Sequence, residues 1–121
     1  MIGVGIDLVD VQRFRTVLHR RHKISERLFT KSELSYCNTA TDPTERLAVR
    51  FAAKEAVMKS LGKGWRELKW KEIEITGGGK PTVNLYGNAS ELAEINKIGT
   101  IHVSLSHENE TAIAFVVSEV A

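Results

Sequence analysis

The spacing of apolar residues changes period along this chain: it alternates at the start, turns helical through the middle and alternates again toward the end. Ile2, Val4 and Ile6 alternate with Gly3, Gly5 and Asp7, which predicts a short strand over Ile2–Asp7 with one face packed and glycines that permit close approach. Behind Asp10, a residue suited to an N-cap, Val11, Phe14, Val17 and Leu18 keep helical spacing. A turn over Ser25–Phe29 leads to Thr30-Lys-Ser-Glu33, a capping-box pattern that opens a brief helix through Leu34, Tyr36 and Cys37. Asn38–Thr41 reads as a loop. Asp42-Pro43-Thr44-Glu45 then combines a capping Asp, a proline at the first helical position and a glutamate, so a long helix is predicted to start here. It runs to Leu61, and Gly62 ends it in a left-handed conformation.

The second half alternates over Trp70–Thr76 and Thr82–Tyr86 around a Gly77-Gly78-Gly79-Lys80-Pro81 turn, which predicts a β-hairpin. Asn88 with Glu91 caps a short helix carrying Leu92 and Ile95, closed by Gly99. Two strands follow, Thr100–His107 and Thr111–Val120, the first turning Ile101, Val103 and Leu105 inward and His102, Ser104 and Ser106 outward. The order predicts an α+β fold, a mainly antiparallel sheet packed on a long central helix, in one domain over residues 1–121.

The long helix poses the chemical question. Glu55 and Lys59 fall one turn apart with Phe51, Ala52 and Met58 around them, while Arg50 and Lys54 sit together on another side. A charge among apolar neighbours is costly unless something pairs with it.

Composition narrows the classes. With 121 residues, 42% of them apolar, the chain can build one modest core, and no apolar run approaches the length of a membrane span. The start of the chain has no charged-then-apolar leader, so a soluble cytoplasmic protein with no membrane partner is expected. The one cysteine, Cys37, makes neither an internal disulfide nor a zinc motif. The net charge of +2 hides an asymmetry: residues 1–66 hold 13 Lys and Arg against 7 Asp and Glu, and residues 67–121 hold 4 against 8. Arg13, Arg15, Arg20, Arg21, Lys23, Arg27 and Lys31 face only Glu26 in their stretch, a field that attracts an acidic partner.

Asp7 at a strand end and Glu55 on the long helix are candidates for a paired-carboxylate site, because magnesium on a phosphate substrate takes one or two protein carboxylates and fills the rest with water and phosphate oxygens. Lys59 would then reach a phosphate oxygen; the competing reading is a routine Glu55–Lys59 pair along the helix. Ser104-Leu105-Ser106-His107 sets hydroxyls and an imidazole near a strand end, either to meet phosphate or simply as a solvated face. No nucleophile-elbow Gly-x-Ser-x-Gly, dinucleotide fingerprint or P-loop is present.

Five segments occur in a telling order: Gly3-Val-Gly-Ile-Asp7 with Arg13 downstream, Arg27 to Glu33, Leu47-Ala-Val-Arg-Phe-Ala-Ala-Lys-Glu-Ala56, Gly79-Lys-Pro81 and Val103-Ser-Leu-Ser-His107. Together they resemble the holo-acyl-carrier-protein synthase family of small 4′-phosphopantetheinyl transferases. The resemblance implies transfer of the phosphopantetheine arm of coenzyme A to a serine of acyl carrier protein, releasing adenosine 3′,5′-bisphosphate, with magnesium as cofactor. By position it implies Asp7 and Glu55 as metal ligands and Lys59 as a pyrophosphate contact. Arg50, Lys54, Gly62, Pro81, Ser106 and His107 would line the coenzyme A cleft. It also implies a homotrimer with clefts between subunits, and docking of the acidic carrier on Arg13, Arg20, Lys23 and Arg27. The incoming serine needs a base, either Glu55 or a water on the metal. Two details depart from the family pattern, Lys63 and Asp10, neither of them a proposed ligand.

The rival of another class is a non-catalytic basic module that binds nucleic acid, with Arg13 to Lys31 on phosphates. It leaves Asp7 and Glu55 without a purpose, and Phe14 and Phe29, the aromatics of that stretch, have core-facing spacing. A metal-dependent phosphohydrolase is a weaker rival.

Overall fold

The computed structural model describes residues 2–121. Strand β1 (Ile2–Asp10) leads into helices α1 (Val11–Arg20), α2 (Ile24–Leu28), α3 (Lys31–Cys37) and α4 (Thr44–Leu61). A 3-10 turn at Trp70–Glu72 precedes β2 (Ile73–Thr76) and β3 (Thr82–Leu85), and α5 (Gly87–Ile95), β4 (Ile98–Glu108) and β5 (Thr111–Val120) complete the chain. The α+β plan holds, with every strand pair antiparallel.

The sheet is divided, however. β1-β5-β4 form one three-stranded sheet across α4, and β2-β3 form a separate two-stranded hairpin. Helix α4 is the centre of the core, burying Leu47, Ala48, Ala52, Ala53, Ala56, Val57, Met58 and Leu61. Its residues are buried nearly all round, which is the pattern of a helix wrapped by the rest of the molecule rather than lying on its surface.

The packed face of β1 is its glycine face. A Cβ on Gly5 would sit 1.8 Å from the Ala56 carbonyl oxygen and one on Gly3 would sit 2.1 Å from that of Ser60, so backbone meets backbone where β1 crosses α4. The opposite face leaves Ile2, Val4, Ile6 and Leu8 between 50% and 64% exposed. In register beside them stand Ile113, Phe115 and Val117 of β5, followed by His102, Ser104 and Ser106 of β4. The inward turn of Ile101, Val103 and Leu105 is as expected.

Several predicted boundaries shift. β1 continues to Asp10, and α2 is a single helical turn where a plain turn was expected. The Thr30–Glu33 capping box forms as read, while α4 starts at Thr44, its amide donating to Asp42 Oδ1 at 3.1 Å. Gly62 closes α4 with φ of +82°. Trp70–Glu72 curls into the 3-10 turn instead of extending the strand. Asn88 does not cap α5: the helix begins two residues earlier than that cap would set it, after Tyr86, and the Asn88 amide donates to Glu72. That helix ends at Ile95, and the left-handed residue beyond it is Lys97, not Gly99.

Candidate active site

Asp7 belongs to the glycine face of β1, so its carboxylate is directed at α4, where Glu55 and Lys59 lie one turn apart. Lys59 Nζ sits 3.0 Å from Asp7 Oδ1 and donates to the Ile6 carbonyl at 2.9 Å. The pairing is therefore between strand and helix, not along the helix. Asp7 Oδ2 is buried without any partner. Glu55 is pushed up to about 7, first by burial, then by its hydrogen bond to Asp7 and by the Asp7 charge, with Lys59 opposing. The Glu55 carboxyl therefore keeps its proton further up the pH range than an exposed glutamate does.

This pair stands in a cleft of about 540 Å3. One wall is basic, with Arg13, Arg21 and Arg27; much of the remainder is apolar, with Phe14, Val17, Ile24, Leu28, Phe51, Trp65 and Trp70. Of the predicted docking residues, Arg13 and Arg27 line the cleft, while Arg20 and Lys23 lie exposed beyond it. Phe14 and Phe29 are buried, so the basic stretch presents no aromatic platform for nucleobases.

A second cleft, about 460 Å3, holds Arg50 and Pro81 together with Tyr36, Arg46, Lys80, Ser104 and the backbone of Gly77–Gly79. The two clefts share no lining residue. Ser106 is exposed on the outer face of the sheet, and His107 Nδ1 lies 3.0 Å from Glu45 Oε1 at the start of α4. Gly62 is exposed at the end of α4.

Lys54 is the exception among the expected cleft residues. Its side chain is wholly buried; Nζ pairs with Glu33 Oε1 at 2.7 Å and donates to the Trp70 and Ile73 carbonyls. Burial drives its pKa down and the Glu33 charge pulls it back up. Glu33 also accepts from the amides of Thr30 and Ile75, so this ion pair ties α3, α4 and β2 together in the interior. Lys54 lines neither cleft; the sequence shows its cation among alanines but not the counter-ion that accounts for it.

Sequence reasoning also left unassigned Trp65, Trp70 and Arg21 in the first cleft and Tyr36 and Arg46 in the second. The two tryptophans in the connector after α4 were the available signal.

A sheet laid across one buried helix, with an aspartate inside β1 rather than at the strand end set against a helical glutamate and lysine, defines a small α+β class with two acids and a cation at the strand–helix crossing. Residues 3–116 match the family described as the 4′-phosphopantetheinyl transferase superfamily. The chain belongs to that superfamily. The holo-[acyl-carrier-protein] synthase of Clostridium kluyveri is 43% identical over 124 residues, covering 99% of this chain and 91% of that protein. The enzyme of the same name from Geobacter metallireducens is 42% identical, covering 98% of each. Among solved structures, holo-[acyl-carrier-protein] synthase from Neisseria meningitidis superposes with a TM-score of 0.87 at 36% identity, covering 98% of this chain and 99% of that one. The Helicobacter pylori enzyme in complex with coenzyme A superposes at 0.83 with 32% identity, covering 96% and 99%.

Proposed function

We propose that this chain transfers the 4′-phosphopantetheine group of coenzyme A to a serine of apo acyl carrier protein, in fatty acid biosynthesis, leaving adenosine 3′,5′-bisphosphate. The observation that carries the reading is the Asp7–Glu55–Lys59 constellation, with Asp7 and Glu55 lining a cleft that also holds Arg13, Arg21 and Arg27. Attack of a hydroxyl on a pyrophosphate phosphorus asks mainly for positioning and for neutralisation of charge on the phosphate oxygens. Lys59, its side chain 56% exposed, supplies a cation that can turn from Asp7 to such an oxygen. Phe14, Phe51, Trp65 and Trp70 give the cleft apolar walls beside its arginines, suited to a donor with both charged and apolar parts.

The residues fit a magnesium ion. Asp7 Oδ2 is a buried, unpartnered oxygen, and Glu55 is a carboxyl kept protonated first by its burial and then by Asp7, so both offer hard oxygen donors once a divalent charge displaces the Glu55 proton. Asp7 and Glu55 would hold the ion, which when bound supplies positive charge beside the pyrophosphate. No cluster of three His, Cys, Asp or Glu exists among the described residues, and a magnesium site completed by water and phosphate does not require one.

Arg13 and Arg27 in the cleft, with Arg20 and Lys23 beside it, form the face offered to the acidic carrier. Coenzyme A contacts are assigned to Lys59, Gly62, Arg50, Pro81, Ser106 and His107, with Lys54 withdrawn. Because Arg50 and Pro81 occupy a cleft separate from Asp7 and Glu55, a complete site requires joining the two across subunits. The exposed face of Ile2, Val4, Ile6, Leu8 and Phe115 supports that assembly, a homotrimer. The setting we infer is the cytoplasm, where donor and carrier meet.

The test is to incubate the protein with coenzyme A, magnesium and an apo carrier protein, then weigh the carrier. A phosphopantetheine adduct on its serine is expected. An unmodified carrier alongside free phosphopantetheine would instead establish a hydrolase.

A further inference from the structure

The second cleft contains a charge arrangement that the transfer step leaves unexplained. Arg46 and Arg50 stand one turn apart on α4, and like charges at that spacing repel. Among the described residues neither takes part in an ion pair with a carboxylate. Arg46 donates to Thr39 Oγ1 at 3.0 Å, and Arg50 to the Gly77 carbonyl at 3.3 Å. Arg50 is only 5% exposed, and its Nε is buried with no partner. A buried cation with a spare donor and no counter-ion is costly, which is the signature of a group kept for an anion that arrives from outside.

The element that keeps the two guanidiniums together is Tyr36. Their central carbons lie 4.9 and 4.7 Å from its ring centroid, where the negative face of the ring offsets part of their repulsion. The same side chain lies against the glycine turn: a Cβ on Gly78 would come 2.9 Å from the Tyr36 hydroxyl oxygen. One ring thus borders both arginines and the backbone that forms the other side of the cleft.

The geometry points to Tyr36 as a positioning residue that holds Arg46 and Arg50 as a two-guanidinium clamp for a phosphate of the donor substrate. This rests on the coenzyme A reading: Lys59 and the Asp7–Glu55 pair are assigned to the pyrophosphate at the reacting end, and the donor carries a further phosphate that needs cations of its own.

The probe is adenosine 3′,5′-bisphosphate, titrated calorimetrically into the wild-type protein and into Tyr36→Leu, Tyr36→Phe and Arg46→Gln. Tyr36 and Arg46 are both partly exposed, so the folded state should tolerate these changes, and thermal denaturation checks it. Tyr36→Leu and Arg46→Gln should weaken binding roughly five- to tenfold, while Tyr36→Phe, which keeps the ring, restores affinity to within about twofold of wild type. In turnover, the loss should appear in KM for coenzyme A rather than in kcat or in KM for the carrier.

The clamp is overturned if wild type does not bind the bisphosphate, if Tyr36→Leu binds it as wild type does, or if Tyr36→Phe loses as much as Tyr36→Leu. It is likewise overturned if kcat and both KM values shift together, the mark of a merely structural role. Bisphosphate binding that depends on Tyr36, without any adduct on a carrier, would sink the transferase reading and leave the clamp standing.

Discussion

Glu55 holds a proton because it is buried and because Asp7 lies beside it, and that gives the metal-free protein a pH dependence of definite sign. In the unfolded chain this carboxyl titrates near 4.5, and in the folded protein near 7. Between those values the unfolded chain has lost a proton that the folded one retains, so stability is fully present below about 4.5 and falls as pH rises toward about 7. Urea denaturation in chelator should show a midpoint that declines across this window in wild type and a flatter profile in Glu55→Gln; identical slopes would dismiss the raised Glu55 carboxyl. Magnesium should raise the midpoint more at pH 7.5 than at pH 5.5, because the cation requires Glu55 ionised. Asp7→Asn and Glu55→Gln should each cut transfer roughly a hundredfold or more with the fold intact. Full activity in either would refute the ligand assignment. At this scale the sequence showed Asp7, Glu55 and Lys59 but not the ion pair between Lys59 and Asp7, since chain spacing sets Glu55 beside Lys59 and only the crossing of β1 over α4 brings Asp7 there.

Among the elements, the crossing of β1 and α4 is the tightest contact. Gly5→Ala would drive a Cβ into the Ala56 carbonyl, and separation of strand and helix should cost about 3 kcal/mol or more, read from urea unfolding. The same separation would move Asp7 away from Glu55, so activity should fall further than stability alone predicts. The alternation of β1 was legible; its packed side was not obvious, because apolar Ile2, Val4 and Ile6 are the habitual inward choice and glycines win only against a helix as rich in alanine as Ala52-Ala53-Ala56. The ion pair inside α3 and α4 lay further out of reach. Lys54 and Glu33 are far apart in sequence, and Glu33 already had a full explanation as a capping residue. Lys54→Met should destabilise by about 3 to 5 kcal/mol, since it strands a buried carboxylate, and adding Glu33→Gln should recover part of that loss. On α1, Arg13→Glu should raise KM for the carrier roughly tenfold and leave coenzyme A binding unchanged. An unaltered carrier KM would remove Arg13 from the docking face.

For the whole molecule, the division of the cleft residues into two pockets and the bare apolar face of the sheet point the same way. Ile6→Glu, placed in register beside Phe115, should give a smaller particle by light scattering and little transfer, with the Asp7–Glu55 pair itself unchanged. Retained assembly and activity would assign that face elsewhere. The α+β order and the family could be read from the chain, whereas the division of the sheet could not, because local alternation names strands and not their partners. The exposed β1 face has a consequence for how this protein responds to dilution. If folded subunits are completed by one another, apparent stability obeys mass action: the melting temperature should climb with protein concentration. At low concentration, loss of activity would then precede loss of helix, because a subunit can keep its core around α4 after it has lost the neighbour that finishes its cleft.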